Sequence, residues 1–103
     1  MTEEAINKWT INGKTALNFA CENNMEKVAL ELIPRMTDEA INKWSNNGYT
    51  SLFWTCMTNM EKVAIELIPR MTEEAINKAD IKNKRAVDYA VENNMLGVIK
   101  MIK

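Results

Sequence analysis

Histidine is absent from this 103-residue sequence. That removes the commonest general base, the commonest zinc ligand and every Ser-His or Cys-His nucleophile pair. Glycine occurs three times and proline twice, too few for a loop-rich β protein or a disordered linker. Neither sign of charge is in excess: 13 Lys and Arg face 14 Asp and Glu, for a net charge of −1. A broad basic surface for nucleic acid or anionic lipid is therefore not expected. No apolar run approaches the ~20 residues needed to span a bilayer, and the basic-then-apolar pattern of a secretory signal is missing. Only two cysteines occur, which fits a reducing, cytoplasmic setting. The length allows one domain with a modest core. These exclusions leave a soluble, mostly helical, intracellular domain.

Methionine, by contrast, is plentiful, and its placement reveals a repeat. Met1, Met36 and Met71 lie 35 residues apart, and each opens a phrase Met-Thr-Glu/Asp-Glu-Ala-Ile-Asn-Lys. Met25, Met60 and Met95 keep the same spacing inside a second phrase. Residues 1–35 and 36–70 differ at 11 positions and agree at 24, while 71–103 is more divergent. Self-similarity at a period of 20–50 residues is the mark of stacked repeat units.

Each unit reads as two helices. In Thr15–Asn23, Leu17, Ala20 and Cys21 form an apolar stripe, widened by Ala16 and Phe19. Thr15 is placed to cap it, and Asn23-Asn24 to end it. A second helix is predicted from about Met25 to Ile33, burying Met25, Val28, Ala29, Leu32 and Ile33 and stopped by Pro34. Residues 36–42 read as a short helical turn capped by Thr37, with Asp38 and Glu39 at its positive end. A turn at Asn46-Asn47-Gly48 leads to the next pair. Helices of ~9–10 residues are not stable alone, so units must share a core by stacking. The predicted fold class is all-α, a solenoid of three helix-turn-helix units joined by extended fingers. One domain covers 1–103, with units at about 10–44, 45–79 and 80–103 after a partial finger at 1–9.

The stretch Asn12–Cys21 resembles the ankyrin repeat, whose pattern is roughly Asp-x-x-Gly-x-Thr-Pro-Leu-His-x-Ala. Gly13 and Gly48 match its turn glycine, Thr15 and Thr50 its threonine, and Leu17, Leu52 and Val87 its buried leucine. Ile6-Asn7, Ile41-Asn42 and Ile76-Asn77 match its Val-Asn pair. Asp80 matches the turn aspartate, where Thr10 and Ser45 stand in the other copies. The resemblance spans essentially the whole chain. The departures are a period of 35 rather than 33, a remodelled loop at Pro-Arg-Met-Thr-Glu-Glu-Ala, and Asn18, Phe53 and Asp88 in place of the family's histidine. Asn83 replaces the turn glycine, at a position where Asn tolerates positive φ. The wording Leu-Ile-Pro-Arg-Met-Thr resembles ankyrin proteins of giant DNA viruses; near-identity of two copies is also what an engineered repeat would show.

The chemical candidates are few. Cys21 and Cys56 share a register one unit apart. Helix packing at ~8–10 Å exceeds the ~4.4–6.8 Å Cα separation of a disulfide, so small buried side chains are expected. The pairs Glu3-Glu4, Asp38-Glu39 and Glu73-Glu74 read as solvated helix-start charges, not catalytic carboxylates. Lys82-Asn-Lys-Arg85 is too short for a nucleic-acid footprint. No enzyme, cofactor or metal site is expected.

What the resemblance implies is a concave face of fingers and first helices that binds other proteins. By register it takes Trp9, Ile11, Asn12, Lys14, Glu22 and Asn23 from the first unit. The second contributes Trp44, Asn46, Asn47, Tyr49, Met57 and Thr58; the third Ala79, Ile81, Lys82, Lys84, Glu92 and Asn93. In the middle unit Lys14 becomes Tyr49 and Glu22 becomes Met57, residue types favoured at interfaces. Trp44, Asn46, Asn47, Tyr49, Met57, Thr58 and Trp9 are thus the expected contact residues. Against this, Trp54 shares a recurring aromatic register and is expected in the core, Phe53 is a candidate to pack between units, and Trp9 and Trp44 could shield the remodelled loop. An alternative is a structural or designed scaffold that self-associates through uncapped ends. The first unit has no preceding cap, and Lys103 stands in the register of Ile33 and Ile68, a polar-cap signature. A monomer or weak homo-oligomer follows.

Overall fold

The computed structural model describes residues 2–102; Met1 and the capping position Lys103 lie outside the described residues. Nine α-helices occur among the described residues. Three are short: α1 (Glu3–Ile6), α4 (Asp38–Ile41) and α7 (Glu73–Ile76). The other six form three pairs: α2 (Ala16–Glu22) with α3 (Glu26–Leu32), α5 (Ser51–Met57) with α6 (Glu61–Leu67), and α8 (Ala86–Glu92) with α9 (Leu96–Ile102). The pairs stack side by side, α2 on α5 on α8 and α3 on α6 on α9.

Each helix of a pair has seven residues, so tertiary packing rather than propensity must hold it. Leu17, Leu52, Val63, Leu67 and Val98 have no accessible surface, and Ile41 only 1%. Burying such a side chain contributes about 1.5–3 kcal/mol. The ends are set locally. Thr15 Oγ1 accepts the Asn18 N–H while Asn18 Oδ1 accepts the Thr15 N–H at 2.9 Å, a reciprocal cap for α2. Thr50 caps α5 through the Phe53 N–H, and Asp88 Oδ2 accepts the Arg85 N–H at the head of α8. At the far ends Asn24, Asn59 and Asn94 adopt φ of 58°, 61° and 56°. Behind them the Met25, Met60 and Met95 N–H groups donate to Ala20, Thr55 and Ala90 carbonyls, closing each first helix with an Asn-containing left-handed cap.

The second helices are shorter than the spacing predicts. α3 ends at Leu32, and Ile33–Arg35 continues as a 3₁₀ turn containing Pro34, repeated at Ile68–Arg70. Proline ends the α-helical hydrogen-bond ladder here because it has no N–H to donate to the carbonyl four residues back. The remodelled loop is then the four-residue helix expected at 36–42: Thr37 and Thr72 side chains accept the Ala40 and Ala75 N–H groups. Asp38, Glu39, Glu73 and Glu74 stand exposed in the first turns, where the helix dipole favours them.

Two burial expectations need correction. Met25 and Val28 are 47% and 39% exposed, whereas their counterparts Met60, Met95, Val63 and Val98 are at most 3% exposed. This register faces the preceding unit, and none among the described residues packs on the first. Phe19 is likewise 44% exposed rather than part of the buried stripe.

Candidate partner-binding surface

The fingers are built from hydrogen bonds between neighbours. In the first, Thr10 N donates to Lys14 O at 2.9 Å and Gly13 N to Thr10 O at 2.8 Å. The second and third repeat this with Ser45 and Asp80 in place of Thr10. Asp80 accepts the Lys82 and Lys84 N–H groups, so the turn aspartate of the third unit and the hydroxyls of the first two do equivalent work. Successive fingers are tied by Asn46 N to Asn12 O (2.9 Å) and Ile81 N to Asn47 O (3.2 Å). The fingertips leave Asn46 and Asn47 exposed beside Ile11, which is 97% exposed.

Below the fingers, the first and third units carry the same device. Lys14 Nζ pairs with Glu22 at 3.0 Å and lies 5.3 Å from the Phe19 ring centre. Lys84 Nζ pairs with Glu92 at 3.5 Å and lies 5.2 Å from the Tyr89 ring centre. In the middle unit the equivalent positions hold Tyr49 and Met57, and the aromatic position holds Trp54. Tyr49 packs 4.5 Å from Phe53 and 5.1 Å from Trp54, centre to centre; Phe53 in turn meets Tyr89 edge-on at 5.1 Å. Phe53 is 1% exposed and fills the space between units, as its register allows.

Tyr49, Trp54 and Met57 are half-buried and rest on the core. They therefore have a packing role that the register alone does not reveal. Their remaining surface forms an apolar strip between two ion pairs. Thr58 borders it, half-buried, its hydroxyl donating to the Trp54 carbonyl at 2.8 Å. Trp54, expected in the core, packs against it half-buried, and its buried Nε1 has no hydrogen-bond partner among the described residues.

Trp9 and Trp44 lie outside this cluster. The Lys43 ammonium sits 4.9 Å from the Trp9 ring centre, and that of Lys78 sits 4.9 Å from Trp44. Each tryptophan is covered by a lysine from the next unit, a stair of contacts worth about 0.5–1 kcal/mol apiece at exposed sites. Trp9 remains 40% exposed and Trp44 half-buried. Trp44 also floors a shallow groove bounded by Glu39, Asn42, Lys43, Thr72 and Glu74. Of the seven expected contact residues, the structure brings Tyr49, Met57 and Thr58 together; Asn46 and Asn47 lie at the fingertip, and the two tryptophans on the finger flank.

Both cysteines are free and fully buried. Burial pushes each thiol up to about 12, which leaves them protonated and unreactive at neutral pH. No helix among the described residues is long and apolar enough to cross a membrane. The chain matches no family model and no curated protein sequence.

Proposed function

We propose that this chain is a three-unit ankyrin-repeat domain that acts as a non-enzymatic, cytoplasmic protein–protein interaction module. It needs no cofactor or metal and contacts neither nucleic acid nor membrane. Its partner docks on the face made by fingers and first helices, centred on Tyr49 and Met57 with Trp44, Asn46, Asn47, Thr58 and Trp9 at the margin. The single observation behind this reading is the replacement of a lysine–glutamate ion pair by tyrosine and methionine in the middle unit alone. Aromatic and thioether surface is enriched at interface centres, and charge at their rims.

The test exploits the flanking units. Tyr49→Lys with Met57→Glu recreates the pair that both neighbours already hold. Peptides selected from a displayed library against the wild-type domain should bind this double variant much more weakly while its helical circular dichroism is unchanged. Selected peptides that bind both proteins equally would sink the reading. A second reading, a scaffold whose copies associate through open ends, is favoured by the exposed Phe19, Met25 and Val28. Sedimentation across a wide dilution series separates the two: a constant single-chain mass counts against the scaffold.

A further inference from the structure

The two ends of the stack are chemically unequal. At the first end the open registers keep the interior residue types. Met25 matches Met60 and Met95, Val28 matches Val63 and Val98, and all four counterparts are sealed by a preceding unit. A second copy stacked head to tail would cover this end with the same contacts that the molecule already makes twice.

The other end departs from the interior pattern at three registers. The first is the finger turn. A Cβ on Gly13 would lie 2.9 Å from the Trp44 carbonyl oxygen, and one on Gly48 would lie 2.7 Å from that of Ala79 and 3.0 Å from the Asp80 Cα. These are backbone atoms of the following finger, which seats directly on the glycine and cannot swing aside as a side chain would. Asn83 holds the equivalent turn at a φ of 62° and carries a Cβ where the first two units have none.

The second is the head of the second helix. Glu61 reaches into the following unit, where its carboxylate accepts the Gly97 N–H at 3.2 Å. Leu96 stands in the Glu61 register, 60% exposed, and has no carboxylate to offer. The third is Val91, 56% exposed in the register of Cys21 and Cys56, which a following unit covers completely. A valine overfills a space that two cysteines fit.

We infer that Asn83 prevents a second copy of this chain from stacking on the third unit in the internal register. Leu96 and Val91 reinforce the mismatch. Head-to-tail contacts between identical chains form rings where the rotation closes and grow into open fibres where it does not. An end that keeps apolar residues yet rejects a further copy avoids that outcome. The inference concerns the ends of the stack and does not depend on the partner-binding face.

Two variants test it under reducing conditions. Val91→Cys with Leu96→Glu restores two interior residues but leaves Asn83. Adding Asn83→Gly restores all three. Analytical ultracentrifugation over rising concentration should show no growth beyond two chains for the wild type and for the variant that retains Asn83. The triple variant should show open-ended growth, with helical circular dichroism confirming that all three proteins are folded. Open-ended growth of the wild type, growth of the variant that retains Asn83, or failure of the triple variant to grow would each overturn the inference.

Discussion

The guanidinium of Arg70 reaches back one unit and donates to the Met36 carbonyl at 2.6 Å, while also contacting the Ile33 carbonyl. Its Nε and Nη2 meet Asp38 Oδ1 at 3.1 and 2.9 Å. One side chain thus ties the 3₁₀ turn at Ile33–Arg35 to the head of α4. Asn42 completes the tie by donating to the Arg70 carbonyl and accepting the Thr72 N–H at 2.7 Å.

Arg70→Ala should lower stability by about 1–3 kcal/mol, mostly from carbonyls left unpaired. The exposed Asp38 contributes little of that. Arg70→Lys should recover less than half, because an ammonium cannot span two carbonyls and a carboxylate with a planar fork. Urea midpoints of the three proteins decide it; full rescue by lysine would show that charge, not geometry, matters.

Gly48 and Asn83 occupy the same turn with opposite consequences. Gly48→Ala places a methyl at a φ of 84° and 2.7 Å from the Ala79 oxygen. The left-handed backbone costs roughly 1–2 kcal/mol and the displaced finger about 1–3 more. Asn83→Gly should change stability by less than about 1 kcal/mol, since asparagine tolerates this region. Thermal melts of the two single variants should differ accordingly in dilute solution; equal melting temperatures would contradict the packing described.

Exchanging Tyr49 and Met57 for Lys and Glu should cost no more than about 3 kcal/mol. The ring pairs of Tyr49 with Phe53 and Trp54 are lost, at about 0.5–1.5 kcal/mol each, and a half-exposed ion pair returns about 0–1 kcal/mol. Chemical denaturation measures the cost. A loss above about 4 kcal/mol, the range of buried-core truncations, would mean that the strip is core rather than surface.

The cysteines make stability fall in alkali. Their folded pKa values stand at about 12 against an ordinary 9.0, so between pH 9 and 12 the unfolded chain releases protons that the folded chain retains. Their contribution is fully present below pH 9 and is lost as pH rises through this window, by up to about 1.4 kcal/mol per pH unit for each thiol. Cys21→Ala with Cys56→Ala will be less stable at pH 7, but its decline from pH 9 upward should be shallower than that of the wild type. Parallel declines would contradict this.

Much of the molecule was legible one residue at a time. The Met-Thr-x-Glu-Ala-Ile phrase encodes a Thr-capped turn of helix. Pro34 marks the end of the second helix, and Asn83 announces a left-handed backbone. Such features depend on contacts within a few residues of themselves, so a sequence carries them in full. The buried registers were legible too, because a residue sealed in one unit recurs in the next.

What the sequence could not supply depends on which neighbour is present. Met25 and Met60 open the same local sequence, Met-Glu-Lys-Val-Ala, yet one is half exposed and the other sealed; the packed unit on that side separates them. Trp9 and Trp44 gain their lysine covers from 34 residues away, and Phe53 is sealed against Tyr89 of the next unit. The sequence by itself therefore determined an all-α repeat with its caps, turns and buried stripes. Tertiary structure alone decided which copy of each residue is exposed, because burial belongs to the interface between units and not to the unit that carries the residue.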